Sequence, residues 1–366
     1  RDVAPSRGLG DVYKRQTMKC TIQNIADHLG LSRNTVSKAL KNSSEVSENT
    51  RNLVIKTASK LGYKNATFAT PVIPASETGS NGTILFLTRT YASDSEFWTT
   101  VLRGIESILS NANYHLAISI MSDSDLKQLN FPQTISDSSI KGIILVEICD
   151  KVVCDALSQF NLPIVSVDMP NVPFEELNGI DVVTMESKKN LKKIINQLIE
   201  KGAESFGFVG DLYSPNVSRG FQERYNALSE CLAEHQLPLN QKNCLLHQTP
   251  EDFRNFQTTV NNLQAMISLP DVFICGNDWT AIQLIYALQF LGFQIPKDIC
   301  VVGFDNIPAA SRISPSLTTI STPQKYLGIA AARQILERIQ HPNCPHVFCQ
   351  YETELIIRNS TNITSF

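Results

Sequence analysis

The segment SRNTVSKALKN, residues 32–42, concentrates side chains that can donate hydrogen bonds. Arg33, Asn34 and Lys38 offer guanidinium, carboxamide and ammonium groups, and Ser37 adds a hydroxyl. Arg pairs in a bidentate manner with guanine, Asn suits adenine, and Lys binds phosphate as a point charge. At helical spacing these side chains share one face of a helix whose other face is apolar. The segment therefore has the chemistry to read base edges and phosphates.

A second group of polar residues follows directly after short apolar runs typical of buried strands. Ligands of α/β proteins collect at the carboxyl ends of such strands, so these positions are candidates for binding a small molecule. An Asp after a strand can equally cap the next helix, and for Asp278 both interpretations stay open. The positions that this rule selects are residues 88–91, Glu147, Asp168, Asp211, Asn277, Asp278 and Asp305.

Three short helices are predicted to position the first group. Thr21 is suited to cap TIQNIADHLG, Ser32 to cap the second helix and Ser47 to open the third. The third helix is expected to bury Leu53 together with other apolar residues: Val54, Ala58 and Leu61. A three-helix bundle with a merely solvated polar face is the alternative. The four-residue turn before a helix that begins with bulky polar residues favours a helix-turn-helix domain, residues 18–65.

Charge supports the same interpretation. Residues 18–65 hold eight Lys or Arg against three Asp or Glu, although the whole chain of 366 residues carries a net charge of −3. A basic end on an otherwise acidic chain is typical of a protein that meets nucleic acid at that end only. The pattern predicts double-stranded DNA as a partner of this domain.

From residue 82 to residue 361 the chain alternates between apolar runs and amphipathic helices, which predicts α/β architecture with parallel sheets. About 280 residues exceed one ordinary sheet domain, so two similar lobes with a cleft between them are expected. The predicted strands are 83–88, 114–120, 142–148, 163–168, 179–183, 205–211, 271–276 and 299–304, and the predicted helices are 96–111, 187–201, 219–236, 278–291 and 324–340.

Other chemistry is weakly supported by the sequence. The nine cysteines are scattered without a C-x-x-C pair, and the six histidines have no metal-ligand spacing, so no metal and no cofactor are expected. CPHVFC near the C-terminus could hold a metal, but a structural role is the simpler interpretation. No secretory signal or membrane-length apolar run appears, which predicts a cytoplasmic protein. Residues 1–17 match no element pattern and are interpreted as a non-native leader, with Met18 as the natural start.

The continuous segment TIQNIADHLGLSRNTVSKALKNSSEVSENTRNLVIKTASKLGY, residues 21–63, resembles the DNA-binding domain of the LacI/GalR family of bacterial repressors. In that family the first residues of the second helix read bases. The resemblance therefore implies base contacts by Arg33, Asn34 and Lys38. It also implies phosphate contacts by three polar side chains: Ser32, Thr35 and Asn42.

The resemblance continues through the body of the chain, in EFWTTVLRGIESILSNANYHL, FQERYNALSECL, ICGNDWTAIQLIYALQFLGFQIPKDICVVGFDNI, PSLTTISTP and ELIIRNST. It implies a fold like that of periplasmic sugar-binding proteins, with three crossovers between lobes of residues 82–179 plus 324–343 and 180–322 plus 344–361. It further implies that Asp305 and Arg224 bind the effector. Phe97 and Trp98 would contact it or pack the lobe, and Trp279 completes the predicted effector set.

Three positions depart from the family pattern. The linker of residues 66–81 normally carries an Ala-Arg-x-Leu stretch that forms a hinge helix on DNA and wedges a Leu into the minor groove. Here Thr70 and Pro71 follow the conserved Ala, and Val72 takes the wedge position, which disfavours a hinge helix. Ala227 replaces a usual Gly. Met185-Glu186 stands where Asp-Asn is common, which implies an altered pocket floor.

The sequence therefore predicts a ligand-responsive transcriptional repressor that binds a pseudo-palindromic operator as a homodimer. A sugar is the expected effector, and a purine or another small metabolite is the alternative. An enzyme is the competing class, but no P-loop, G-x-S-x-G, H-E-x-x-H or G-x-G-x-x-G occurs. A sugar-binding transport protein is disfavoured by the DNA-binding segment.

Overall fold

A computed structural model describes residues 21–40, 46–47, 50–51, 53–54, 57–58, 80–89, 95–212, 218–247 and 255–363. The chain separates into two compact units, with the division between Gly79 and Ser80. The predicted leader (residues 1–17), residues 41–45 and the linker up to residue 79 lie outside the described residues.

The first unit contains α1 (Ile22–Leu29), α2 (Arg33–Leu40) and a third helical segment within residues 50–58. Thr21 caps α1 in a reciprocal box with Asn24, and Gly30 ends it in the left-handed conformation at φ 63°. Ser32 and Ser47 cap the other two helices, since their Oγ atoms accept hydrogen bonds from the backbone N–H groups three residues later, at 3.0 and 3.3 Å. All three predicted helix starts are thereby confirmed.

The small core of this unit explains how the three helices stay together. Apolar side chains from each helix form one buried cluster: Ile25, Ala26, Val36, Ala39, Val46, Val54 and Ala58. The prediction that Leu53 joins this core was wrong, because 51% of its surface is exposed. Val54 and Ala58, one turn apart, already fill the inward face, so the neighbouring Leu53 is turned outward.

The described part of the second unit contains eight further α-helices and twelve strands. The helices are α3 (Glu96–Asn111), α4 (Asp123–Gln128), α5 (Lys151–Ser158), α6 (Lys189–Glu200), α7 (Arg219–Glu234), α8 (Phe256–Ala265), α9 (Asp278–Phe290) and α10 (Gln324–Gln340). The strands are β1 (Gly82–Arg89), β2 (Tyr114–Met121), β3 (Ile140–Val146), β4 (Ile164–Val167), β5 (Ile180–Met185), β6 (Phe206–Asp211), β7 (Leu245–His247), β8 (Val272–Cys275), β9 (Cys300–Asp305), β10 (Thr318–Ser321), β11 (Phe348–Tyr351) and β12 (Glu354–Ile356).

Two six-stranded sheets divide this unit into two lobes. The first sheet has the order β11-β5-β4-β3-β1-β2 and the second has the order β12-β10-β9-β8-β6-β7. All pairings are parallel except that of β10 with β12. Most central strands are buried along their whole length, because helices cover both faces of each sheet. The predicted α/β class with two lobes is confirmed.

The chain passes between the lobes three times, but two crossovers lie later than the sequence indicated. β5 pairs with β4, and β11 pairs with β5, so both strands belong to the first sheet. The boundaries drawn at 179/180 and 343/344 were therefore wrong: the chain crosses after Met185 and after Tyr351. Strand-like runs alone do not reveal which sheet a strand joins, which is why the error arose.

The helices α3 and α10 pack unusually closely against each other in the first lobe. A Cβ atom added to Gly328 would lie 2.0 Å from the carbonyl oxygen of Val101, and one added to Gly104 would lie 2.3 Å from that of Lys325. Only glycine permits this approach of two backbones. The helix α3 is thus held firmly in place at the point where it carries Phe97 and Trp98.

Candidate functional site

The polar face of α2 has the geometry expected of a base-reading helix. Arg33 and Asn34 are exposed at its first turn, whereas Ser37 and Lys38 are half-buried further along. Ser32 and Thr35 join their hydroxyl groups at 2.8 Å, next to the N-terminus of the helix. Backbone N–H groups and hydroxyls at a helix N-terminus are suited to an anionic phosphate. Asn42 and Val72 lie outside the described residues, so their DNA contacts remain predictions.

The second unit brings most of the predicted effector residues to the facing strand ends of the two lobes. Arg224, on α7, is 4% exposed, and its Cζ lies 3.7 Å from the ring centroid of Phe304. Its Nη1 donates to the carbonyl oxygen of Gly276 at 2.7 Å. Its Nε is buried without an acceptor among the described residues. A buried guanidinium with an unused donor is suited to receive an acceptor from a ligand.

Asp305 ends β9 opposite Arg224 in a backbone conformation that non-glycine residues rarely adopt. Its φ is 118°, and its carbonyl oxygen accepts hydrogen bonds from Gln324 Nε2 at 2.7 Å and Thr322 Oγ1 at 3.2 Å. Burial raises the pKa of its carboxyl group well above the usual value, although Arg224 opposes this shift. Strained backbone of this kind is concentrated at binding sites, where the surrounding structure holds it.

Glu147 occupies the matching place in the first lobe, directly after β3. Trp98 Nε1 donates to Glu147 Oε1 at 2.5 Å, and the rings of Phe97 and Trp98 meet edge to face with centroids 4.6 Å apart. Glu147 also has positive φ, 56°. Burial raises the pKa of its carboxyl group to about 7, despite the hydrogen bond from Trp98. Phe97 and Trp98 are 6% and 8% exposed, so both aromatic rings contribute to packing the lobe.

Asp168, after β4, lies where the two lobes touch. Its φ is 75°, and burial raises the pKa of its carboxyl group, which Arg224 of the second lobe partly offsets. Beside it, Pro170 and Ser218 form an isolated antiparallel bridge between the lobes. Arg219 N donates to the carbonyl oxygen of Met169 at 3.0 Å. These contacts hold the two lobes against each other next to Asp168.

The structure resolves the two interpretations of Asp278. The cap of α9 is its neighbour Asn277, whose Oδ1 accepts from Thr280 N at 2.9 Å. Asp278 is fully buried, and its two oxygens accept from Thr319 Oγ1 at 2.5 Å and Ile307 N at 2.9 Å. Burial raises the pKa of Asp278 to about 6. The predicted cap is therefore wrong for Asp278, which instead fixes the loop after Asp305, and its ligand contact stays a prediction.

Two other predicted residues, Trp279 and Glu186, lie in or next to helices of the second unit. Trp279 is 40% exposed and shares one face of α9 with the exposed Tyr286 and Phe290, seven and eleven residues further on, so its ligand contact stays a prediction. Glu186 lies shortly before the first residue of α6. Its Oε1 accepts from the backbone N–H groups of Lys188 and Lys189 at 2.7 and 2.8 Å, so it caps this helix.

Some residues of the site were missed by sequence reasoning. Ser187 follows the first crossover, and its buried Oγ has no hydrogen-bond partner among the described residues. A Cβ atom on Gly220 would lie 3.3 Å from Arg224 Nη2 and 3.5 Å from Ser187 Oγ, so these two side chains are neighbours. Gln324, which holds Asp305, was also missed. A single Ser or Gln next to a crossover gives no recognisable sequence signal.

Metal and membrane chemistry find no support in the described part of the chain. No group of three or more His, Cys, Asp or Glu side chains there has the arrangement of a metal site. In the CPHVFC segment, His346 Nδ1 instead lies 3.2 Å from Asp181 Oδ1, beside the buried pair that Asp181 forms with Arg338 at 2.8 Å. Among the described helices, none is long and apolar enough to cross a membrane.

Comparisons with known proteins agree with both units. Residues 21–65 match the family of bacterial regulatory proteins called lacI, and residues 195–361 match a periplasmic binding protein-like domain. The transcriptional repressor PurR of Photobacterium profundum is 26% identical over 93% of this chain and 98% of its own length. The ribose operon repressor of Haemophilus influenzae is 27% identical over 93% and 98%.

A solved structure extends this agreement to the fold. The complex of the transcriptional regulator CelR with cellobiose superposes with a TM-score of 0.66 at 19% identity, over 93% of this chain and all of that one. One conclusion follows from the first unit with its exposed donor side chains on α2, from the two lobes of the second unit, and from relatives that match along nearly their whole length. The chain belongs to the LacI family of bacterial regulatory proteins and is a ligand-responsive, DNA-binding transcriptional repressor, not an enzyme.

Proposed function

We propose that this repressor binds a sugar between its two lobes and a pseudo-palindromic operator through α2, as a homodimer in the cytoplasm. The observation that carries the ligand site is a group of buried polar atoms with no hydrogen-bond partner among the described residues: Thr88 Oγ1, Glu147 Oε2, Ser187 Oγ and Arg224 Nε. Buried polar groups are normally paired, so atoms left unpaired around one cleft favour a ligand or water that completes them.

A sugar suits these atoms because its hydroxyl groups both donate and accept hydrogen bonds. The cleft supplies an unused acceptor, Glu147 Oε2, and an unused donor, Arg224 Nε. Two of the relatives are named for a sugar, ribose and cellobiose. A purine is the second candidate, since PurR relatives match equally well and Trp98 offers an aromatic edge near the cleft.

A homodimer is supported by an exposed aromatic stripe on α9. Trp279, Tyr286 and Phe290 are 40%, 44% and 69% exposed and lie on one helix face. Large exposed aromatic side chains in a row are typical of protein interfaces. Two copies related by a two-fold axis would present two α2 helices to half-sites related by the same axis. Ligand binding would change the closure of the two lobes. This change would alter how the DNA-binding units of the two copies meet the operator.

The test begins with selection of DNA from a random pool by the full chain. We expect an enriched sequence with two inverted half-sites, and a stoichiometry of two chains per duplex. Addition of sugars and purines to this complex then identifies the effector by a change in DNA affinity. An enriched sequence without inverted symmetry, bound by one chain, would contradict the dimeric operator model. A response to hypoxanthine and to none of the sugars would replace the sugar with a purine.

A further inference from the structure

Glu147 has an unusual combination of fixed position and unused hydrogen-bonding capacity. One carboxyl oxygen is anchored, because Trp98 Nε1 donates to Oε1 at 2.5 Å. The other, Oε2, is buried and has no partner among the described residues. The backbone of Glu147 has φ 56°, in the left-handed region, so its conformation depends on the surrounding strand end, while the hydrogen bond from Trp98 holds the side chain. A carboxyl group held in this way presents one acceptor oxygen to whatever enters the cleft.

The charged groups that face Glu147 are mostly acidic. Arg89 from β1 is the cation that acts on its carboxyl group, and it is already paired with Asp123 at 2.7 Å. Asp168 of the first lobe and Asp211 of the second both oppose its ionisation, and Glu147 in turn opposes that of Asp305. Arg224, the cation near Asp305, is stacked on Phe304 and donates through Nη1 to a backbone carbonyl. Its Nε has no acceptor among the described residues, but Asp305 and Asp168 already offset its charge.

The ligand chemistry follows from this distribution. An anionic ligand would add negative charge to a cleft whose acids already repel one another, and in a poorly solvated site this repulsion is strong. A ligand with O–H or N–H donors instead supplies the hydrogen bonds that the carboxylates lost on leaving water. The first effect weakens the binding of anionic ligands, and the second strengthens the binding of ligands rich in donors. The cleft should therefore prefer a neutral ligand to its anionic analogue.

We infer that Glu147 selects the effector: its Oε2 accepts a hydrogen bond from an uncharged or cationic ligand rich in donors, and the surrounding carboxylates exclude anionic ligands such as sugar phosphates and uronates. This inference rests on the proposed effector site and names its ligand class. It also assigns Trp98 as a positioning residue, which acts on the ligand through Glu147.

The test uses matched probes with the full chain. D-ribose is compared with D-ribose 5-phosphate, D-glucose with D-glucuronate, and hypoxanthine with inosine 5′-monophosphate, in thermal-shift and calorimetric titrations. We expect at least one uncharged probe to bind, its anionic partner to bind at least about tenfold more weakly, and E147Q to weaken the uncharged probe by a similar factor. Gln keeps the acceptor for Trp98 and removes the charge. E106Q, an exposed position on the same helix as Trp98, is the control and should bind as wild type does.

A ligand-free measurement tests the position of Glu147 separately. The chain has two tryptophans, so in W279F the fluorescence reports on Trp98 alone. We expect a fluorescence transition with a midpoint near pH 7 that E147Q abolishes and E106Q leaves in place. Binding of the uncharged probe should strengthen from pH 6 to pH 8, because the ionised carboxylate is the better acceptor, and E147Q should remove this dependence.

The outcomes separate this inference from the proposed function. Tighter binding of an anionic partner, no binding by any uncharged probe, or an unchanged affinity in E147Q would each overturn the role of Glu147. Operator binding without ligand should be the same in wild type, E147Q and E106Q. If the wild type bound no operator at all, the proposed function would be contradicted instead. The ligand titrations would still test the role of Glu147.

Discussion

The two units use polar side chains in opposite ways. In the first unit, Arg33 and Asn34 are exposed on a short helix whose own caps are complete, so they can be replaced with little effect on the fold. In the second unit, Arg224, Asp168 and Asp305 lie in or at the edge of the core, with pKa values shifted by burial. A surface that meets a large anion needs accessible donors, whereas a cleft for a small molecule needs positioned and desolvated groups.

The largest expected effect is that of D305N on ligand binding. It removes the charge that balances Arg224 and keeps the shape of the side chain, so the loss of affinity should be about 2–5 kcal/mol. Affinity for the operator without ligand should be unchanged, because Asp305 lies outside the DNA-binding unit. Calorimetry with the uncharged probe that stabilises the wild type, together with a DNA titration, measures both. A normal ligand response in D305N would show that the buried Asp305 is not needed for ligand binding, and the contrast between the two units would fail.

The next effect concerns Asp278, which should change stability and not recognition directly. In D278N one of the two acceptors used by Thr319 and Ile307 becomes a donor, which should destabilise the second unit by about 1–3 kcal/mol. Thermal unfolding at pH 7 is the measurement. Because the folded pKa of Asp278 is raised to about 6, its ionisation opposes folding as pH rises from about 4 to 6. That pH dependence should be smaller in D278N, and an unchanged melting temperature would contradict the stabilising role of the two hydrogen bonds that Asp278 accepts.

R33A tests the exposed side of the comparison. It should weaken operator binding by about 1–3 kcal/mol, relax the preference at one base pair in each half-site, and leave thermal stability unchanged. T35A, at a position suited to phosphate, should weaken all DNA sequences about equally. The two variants are compared on the selected operator and on variants of it. Unchanged base preference in R33A would move base reading to another part of the head.

The smallest effect is expected for the cap of α1. T21A removes the side-chain oxygen that accepts from Asn24 N at 3.3 Å, which typically costs about 0.5–2 kcal/mol of stability. Thr21 is exposed, yet its contribution is to folding and not to DNA contacts. Unfolding of the head followed by circular dichroism measures this change. If T21A lowered operator affinity without lowering stability, the division between capping and contact residues in the head would be wrong.

Local patterns were sufficient to predict the head and most of the sheets. The caps at Thr21, Ser32 and Ser47 follow from residue type and spacing alone, and the helices at 96–111 and 324–340 were predicted with their final bounds. All eight apolar runs became strands, and most of them are buried on both faces, as continuously apolar strands are expected to be; the edge strand β2 is the exception. The short polar strand Thr318–Ser321 and the edge strand Leu245–His247 lack this signal and were missed.

The sequence predicted where the candidate site lies, at the ends of particular strands, but not the role of each residue there. The rule selected Glu147, Asp168 and Asp305, but it did not distinguish them from Asp278, since all four are acids after apolar runs. What separates Asp278 from the other three is long-range: its hydrogen-bond donors Ile307 and Thr319 lie 29 and 41 residues further along the chain. The roles of Ser187 and Gln324 depend on the crossovers, whose places were themselves misjudged.

The three acids that line the cleft share one backbone property. Glu147, Asp168 and Asp305 have φ values of 56°, 75° and 118°, in the region that favours glycine. Replacing any of them with Gly would relieve backbone strain and remove a desolvated carboxyl group, so the empty protein would gain stability as it lost its ligand. Selection for a sturdier fold and selection for effector recognition therefore act against each other at the same three positions. A survey of single substitutions should find stabilising ones at these three positions first. Each such variant would be a more stable repressor that no longer responds to its ligand.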